Sequence, residues 1–337
     1  MTKTRVLTGI TTSGTPHLGN YVGAIRPAIE ASRDDTVQPY FFLADLHALI
    51  KAQDPKRVQQ SRLEIAATWL ALGLDTDNAL FYRQSDVPEV NELCWMLNCV
   101  CAKGLMNRAH AYKAAVAANE EGGVPDPDRG ISMGLFSYPV LMAADILLFN
   151  ANRVPVGRDQ IQHIEMARDI AGRFNHIYKG NYFTLPEAQV DERVQVLNGL
   201  DGRKMSKSYD NTIPMFCTEK KLLKLVRKIK TNSLEPGEPK DADSCTLFQI
   251  YSAFVDQAGA DDMRKRYEEG IGWGEVKDIV FERLNAHLKE PRERYQALLE
   301  DPAHIESILD KGAERARAEA APFVERLRSV VGLGRFV

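Results

Sequence analysis

Over the first eighty residues, short β-branched or aromatic runs alternate with segments of helical period, and this order restricts the fold more than any other feature. Val6-Leu7-Thr8-Gly9-Ile10 predicts a buried strand that ends at the turn cluster Thr11-Thr12-Ser13-Gly14-Thr15-Pro16. From about Leu18, the apolar positions Val22, Ile25 and Ile29 recur at three- and four-residue steps and predict a helix. Tyr40 to Ala44 is the next strand. Arg62 to Leu72 is an amphipathic helix with Leu63, Ala66, Ala67 and Leu70 on one face, and Ala79 to Tyr82 is a further strand. Such alternation predicts an α/β domain built on a parallel sheet.

Further along, Ala114 to Arg129 carries Glu120-Glu121-Gly122-Gly123 and Pro125-Asp126-Pro127-Asp128, and is expected to be a mobile surface loop. Tyr138 to Phe149 predicts a buried helix, Val154 to Gly157 a strand end, and Gln160 to Phe174 a helix. Beyond about residue 210 the strand signals fade. Glu219 to Lys230, Leu247 to Ala258, Asp262 to Tyr267, Glu275 to Lys289 and His304 to Val331 all carry helical spacing. A boundary between an α/β unit and a helical one is therefore expected near 205–212. Pro322 is expected to kink the last run, whose alanines at 313, 316 and 320 allow close packing.

Charge and cysteine content narrow the function. Lys plus Arg number 43 and Asp plus Glu 46, a net charge of -3. That excludes a generally basic nucleic-acid coat but permits a local basic patch. The five cysteines are odd in number and form no C-x-x-C pair, so neither a disulfide framework nor a zinc site is expected; no metal ligand is assigned. Reduced thiols in a cytoplasmic protein are the expectation. There is no apolar run of about 18 residues, so no membrane span is expected.

Two segments carry chemistry. Thr15-Pro16-His17-Leu18-Gly19-Asn20 falls in the turn between the first strand and first helix, where an open parallel sheet binds nucleotides. Backbone N–H groups at a helix start attract phosphate. Gly19 permits close approach, and His17 and Asn20 are polar groups able to reach phosphate oxygens. Gly202-Arg203-Lys204-Met205-Ser206-Lys207-Ser208 gathers three cations in a segment expected to be flexible. Such a loop can close over a polyphosphate and stabilise charge growing on a leaving pyrophosphate.

The two segments occur in this order, roughly 190 residues apart. Together they resemble the class I aminoacyl-tRNA synthetases, whose signatures are H-I-G-H and K-M-S-K-S. The second is matched in full at Lys204 to Ser208, and the first at His17 and Gly19, with Leu18 and Asn20 as substitutions. Tyr138-Pro139-Val140-Leu141-Met142-Ala143-Ala144-Asp145-Ile146-Leu147-Leu148, Val154-Pro155-Val156-Gly157-Arg158-Asp159-Gln160-Ile161-Gln162-His163, Asp45-x-His47 and Gly332-Leu333-Gly334 are similar to the tryptophanyl branch of that family over nearly the whole chain.

Residue chemistry agrees. Tyr138, Met142 and Asp145 are spaced to share one helix face. Met conforms to flat rings, and a carboxylate can accept from the indole N–H. Asp145 lies among Leu141 to Ala144 and Ile146 to Leu148, where an unpartnered carboxylate is costly; its partner is expected to be ligand rather than protein. The resemblance implies that Asp145 reads the indole N–H while Tyr138 and Gln160 hold the α-amino group. It also implies ATP as substrate, with Mg²⁺ accompanying it. Thr11, Thr12, Ser13, Gly19 and Asn20 would cradle phosphates, Gly157, Arg158 and Asp159 would meet ribose and base, and Val196 would flank the adenine. Lys204, Met205, Ser206, Lys207 and Ser208 would form the closing loop, with His17, Lys204 and Lys207 catalytic.

The resemblance further implies a Rossmann-like catalytic domain over 1–208, a helical anticodon-binding domain over 209–303, and a C-terminal helix from about 304 packing back on the first. The implied partners are L-tryptophan, tRNA(Trp) and a second copy of the chain. Lys220 to Lys230 holds six cations, no acid and an apolar stripe, which fits a phosphate-facing ridge. Cys94-Trp95-Met96-Leu97-Asn98-Cys99-Val100-Cys101 fits either an interface or a core. The sequence departs from the commoner bacterial pattern at Thr11-Thr12, Leu46 and Ala115. Three other classes of function compete: a tyrosyl-tRNA synthetase, a nucleotidyltransferase acting on a small phosphate ester, and a non-catalytic RNA-binding paralogue.

Overall fold

The computed structural model describes residues 3–12, 14–190 and 196–336. Strand β1, Thr4–Thr11, leads through the first turn into helix α1, which is built of Leu18–Asn20, a π-helical Tyr21–Ile25 and Arg26–Ser32. There follow β2 (Val37–Ala44), α2 (Pro55–Ala71), β3 (Leu80–Arg83), α3 (Glu89–Val100), α4 (His110–Glu121), α5 (Met133–Leu148), β4 (Arg153–Pro155), α6 (Ile161–Ile177) and β5 (Glu187–Gln189). Among the described residues the elements that follow are helices: α7 (Glu219–Lys228), α8 (Thr246–Ser252), α9 (Gln257–Glu268), α10 (Trp273–Glu300) and α11 (Pro302–Val330).

The sheet runs in the order β3-β2-β1-β4-β5 with every described pairing parallel. Thr4↔Val37 through Thr11↔Ala44 set the register of β1 on β2, and Val6↔Arg153 joins β1 to β4. Helices cover both faces, so the strands read as continuous apolar runs. Tyr40, Phe42, Leu80 and Tyr82 pack towards α3, α5, α6 and α11; Phe41, Leu43 and Phe81 pack towards α1 and α2. The chain leaves β1 for β2 on one side and reaches β4 on the other. That reversal opens a crevice at the carboxyl ends of β1 and β4, where the His17 turn and the Gly157-Arg158-Asp159-Gln160 turn begin. The core on the α1 face continues without a break from Ile10 and Phe41 through Met215 and Leu222 to Val280 and Leu288 in the helical region.

Two sequence expectations need correction. Residues from Ala114 are not loop but the body of α4, because Ala114, Ala115, Ala117 and Ala118 favour helix; the helix stops at Gly122-Gly123, where Gly123 takes φ +66. The run Leu247 to Ala258 is split, since Asp256 caps α9 by accepting from the Gly259 N–H. Helix α11 continues through Pro322 to Val330.

Helix α11 lies on β3. Arg83 binds Asp86, Glu306 and Asp310 together, and Ala316 and Ala320 are fully buried. At Gly312 a Cβ would stand 1.8 Å from the Phe81 carbonyl oxygen, and backbone cannot swing aside as a side chain can. We expect Gly312→Val to destabilise the chain by about 3 kcal/mol, the upper part of the overpacking range. A urea midpoint equal to that of the parent would show that the helix can lift from the strand at no cost.

Candidate active site

The first turn and the cationic loop meet at the carboxyl end of β1. Leu18 N–H donates to the Ile213 carbonyl and Met215 N–H to that of Pro16, so the segment after the loop is stitched to the turn. Met205 is buried with its sulfur 3.4 Å from the Gly19 nitrogen. A Cβ on Gly19 would meet the His17 ring at 3.1 Å, and one on Gly14, at φ +69, would stand 3.0 Å from Lys207 Nζ. The Lys207 ammonium therefore hangs over the turn itself. Thr12 Oγ1 is buried there and has no hydrogen-bond partner among the described residues, an acceptor-donor without a protein match. Ser13 lies outside the described residues.

The loop is anchored at its base by a residue that sequence reasoning missed. Asn211, 2% exposed, donates from Nδ2 to Asp201 Oδ1 at 2.7 Å and to the Lys204 carbonyl at 3.1 Å, and accepts from the Ser206 N–H at 2.8 Å. Lys204 also pairs with Asn198 in an antiparallel bridge, and Ser206 Oγ accepts from the Ser208 N–H. Lys204, Lys207 and Ser208 stay exposed on this frame. An asparagine three residues past the motif gives no signal in sequence, because its role depends on which carbonyls the fold brings to it.

His17 and Asn20 form a reciprocal cap at the start of α1: His17 Nδ1 accepts from the Asn20 N–H and Asn20 Oδ1 accepts from the His17 N–H. Nδ1 is thus an acceptor, so the neutral ring carries its proton on Nε2 and can donate from there. Burial, reinforced by the Lys207 charge, lowers His17 to about 4. Burial also lowers Lys207, as does Arg57, with Glu64 opposing.

Asp145 sits on α5, 4% exposed, but is not without protein partners as expected. His47 Nε2 lies 2.9 Å from Oδ2, and Gln84 Nε2 donates to Oδ1 at 2.7 Å. Burial raises the Asp145 pKa, and the His47 and Gln84 hydrogen bonds act against that shift. Gln84 is held at both ends, since its Oε1 accepts from the Leu46 N–H at 3.2 Å. Asp45, two residues before His47, holds Ser85 and faces Arg62. Gln84 is a second residue with no sequence signal; its partner comes from another element.

Tyr138 and Met142 are half-buried on the same helix as Asp145, and the Tyr138 ring stands edge-on to His47 with centroids 6.3 Å apart. Gln160 donates to Asp159 Oδ2 at 2.9 Å, and the Asp159 carboxylate folds back over Gly157, which has no Cβ to obstruct it. Arg158 is exposed on the same turn, and Val196 is exposed. Cys94 on α3 approaches the Asp145 charge, and its thiol is pushed up to about 11, chiefly by burial. Cys99 and Trp95 of the same helix face outward. Among the described residues no cluster of His, Cys, Asp and Glu could hold a metal ion, and no helix is long and apolar enough to cross a membrane.

A parallel sheet with two signature segments closing on its crevice defines a nucleotide-dependent synthetase of class I. The family described as tRNA synthetases class I (W and Y) matches residues 1–289. The tryptophan--tRNA ligase of Neisseria meningitidis is 58% identical over 333 residues, covering 99% of each chain. That of Pseudomonas aeruginosa is 61% identical over 333 residues, covering 98% of this chain and 74% of its own. The tryptophanyl-tRNA synthetase of Campylobacter jejuni, solved with ADP and tryptophan, superposes with a TM-score of 0.90 at 46% identity, covering 98% of this chain and all of that one. The chain belongs to the class I tRNA synthetases for tryptophan and tyrosine, and within them to the bacterial tryptophanyl-tRNA synthetases. A tyrosyl-tRNA synthetase from Archaeoglobus fulgidus, at 19% identity and TM-score 0.63, shares the fold alone.

The His17 shift has a measurable consequence. The unfolded chain takes up this proton below about pH 6.5, whereas the folded chain does so only near about pH 4. On this account stability falls as pH drops through that window, by on the order of 3 kcal/mol. His17→Asn keeps a capping acceptor and removes the titration. We expect its denaturation midpoint to fall less steeply than the parent's between about pH 7 and about pH 4.5; equal slopes would mean that His17 does not stay neutral in the folded chain.

Proposed function

We propose that this chain activates L-tryptophan with ATP to tryptophanyl-adenylate and pyrophosphate, then transfers the tryptophanyl group to tRNA(Trp). The meeting of the two signature segments at the sheet crevice, with Lys207 over Gly14 and Met205 on Gly19, carries this proposal. In the first step the tryptophan carboxylate attacks the α-phosphorus, and pyrophosphate leaves. No protein nucleophile is needed; positioning and charge stabilisation suffice.

Asp145, hydrogen-bonded to His47 and Gln84, accepts the indole N–H, with Met142 beside the ring and Tyr138 and Gln160 on the α-ammonium. Thr11, Thr12, Ser13, Gly19 and Asn20 line the phosphates, and His17 Nε2–H donates to a phosphate oxygen. Gly157, Arg158 and Asp159 meet ribose and base, and Val196 flanks the adenine. Lys204 and Lys207, carried by Met205, Ser206 and Ser208, offset the charge growing on the pyrophosphate. Mg²⁺ fits as a companion of ATP, held by phosphate oxygens and water more than by protein carboxylates.

The tRNA is met by the helical region, 209–303, with exposed cations of α7 towards phosphates, while α11 belongs with the catalytic domain. The active form is a homodimer in the cytoplasm, with the outward Trp95 face of α3 available for the second copy.

ATP–pyrophosphate exchange tests the proposal. Tryptophan should stimulate exchange and tyrosine should not; the opposite result rejects it, and amino-acid-independent exchange points to a nucleotidyltransferase. Asp145→Ala should weaken tryptophan binding roughly tenfold or more, the effect of losing a hydrogen bond to a charged acceptor. Lys207→Ala should slow activation by about a hundredfold while tryptophan affinity stays near the parent's. An unchanged rate with lost affinity would place Lys207 at the amino acid instead of the pyrophosphate.

A further inference from the structure

His163 is the third residue of α6, only 4% exposed, and takes no direct part in the steps above. Its Nε2 lies 2.7 Å from the Tyr138 hydroxyl, and the two rings stack at a tilt, with centroids 5.2 Å apart. Its Nδ1 is buried and has no hydrogen-bond partner among the described residues. A buried polar atom left unmatched costs stability, so an arrangement that keeps one needs a reason.

The hydroxyl between the two residues supplies it. Tyr138 has one proton to give and oxygen lone pairs to offer. When the His163 proton sits on Nδ1, Nε2 accepts the Tyr138 O–H and the phenol oxygen turns its lone pairs to the pocket. When the proton sits on Nε2, the ring donates to that oxygen and the phenol hydrogen swings out towards the pocket. The first state leaves both lone pairs to an ammonium; the second spends one on the ring and turns the phenol O–H towards the ammonium, donor against donor.

We propose that His163 is a positioning residue that fixes the Tyr138 hydroxyl as an acceptor for the α-ammonium of the amino acid, carrying its own proton on the unmatched Nδ1. This rests on the assignment of Tyr138 to the ammonium made above. The surroundings keep the ring neutral: burial lowers its pKa, His110 and His47 add to that, and Asp159 opposes it. The Tyr138 hydroxyl stays protonated, since burial raises its pKa. His163 therefore touches no substrate atom and acts wholly through Tyr138.

Calorimetric binding of tryptophan and of indole-3-propionate to the full chain separates this role from simple packing, because the second ligand has the ring and carboxylate but no amine. The parent should bind tryptophan more tightly. Equal binding by the parent overturns the ammonium assignment, and this inference with it. Given a parental difference, His163→Phe should weaken tryptophan roughly tenfold and leave indole-3-propionate unchanged. His163→Gln, whose Oε1 can accept from the hydroxyl, should recover most of the loss. In a Tyr138→Phe background, His163→Phe should cost nothing further. Parallel weakening of both ligands, no weakening of either, or additive losses in the double variant would overturn the role of His163 while leaving the ammonium assignment in place.

Discussion

Strand β1 lies between β2 and β4, and the crevice made by that placement decides where chemistry can occur. A chain that steps to one side after β1 and returns on the other must leave a gap at the strand ends, because the two crossover helices diverge. Into that gap point the start of α1, the turn after β4 and, from nearly two hundred residues on, the cationic loop. The loop has no strand of its own to hold it. Its position comes from Asn211, from the Met205 sulfur on Gly19 and from the backbone bonds of Ile213 and Met215 to the turn. Side chains that carry charge are exposed, while those that carry the loop are buried, so the charges can shift towards a ligand without loss of the frame.

The same division of labour recurs around Asp145. An ionised carboxylate in an apolar helix is costly unless donors meet it. His47 comes from the short turn after β2 and Gln84 from the end of β3, so these two paired strands each send one donor to Asp145 on α5. Gln84 is itself locked by the Leu46 N–H. The arrangement around Asp145 is thus a product of sheet register: slipping β3 on β2 would turn Gln84 away and leave Oδ1 without its donor.

Much of this was legible in advance. The strand–helix alternation, the parallel sheet and the two signature segments follow from local pattern, because apolar periodicity and turn residues act over a few positions. Where local signals conflict, the sequence misleads. The Gly-Pro-Asp punctuation after residue 121 hides an alanine-rich helix just before it, and one apolar run conceals the Asp256 cap that divides α8 from α9. Partners were harder still. Asp145 stands out as a carboxylate among apolar neighbours, yet nothing local tells that Gln84 and His47 will satisfy it. Asn211 and His163 are ordinary polar residues until the fold sets carbonyls or a phenol beside them.

On the proposed assignment of Asp145 to the indole N–H, its protein donors also change how amino-acid selection would work. A carboxylate whose only partner was the substrate would reject phenylalanine by the full cost of a buried, unpaired charge, a discrimination of about 10⁴-fold or more. With that assignment the carboxyl group would keep its two protein hydrogen bonds when the substrate N–H is missing, and lose only a third. The charge-based penalty is smaller by that measure. Shape would then supply the rest: with Met142 and Tyr138 against a bicyclic ring as proposed, a single ring in the same space forfeits dispersion contacts and leaves a gap. Stability and selectivity therefore compete for the same oxygen atoms, and the helix face that lines the pocket offsets what the protein donors give up.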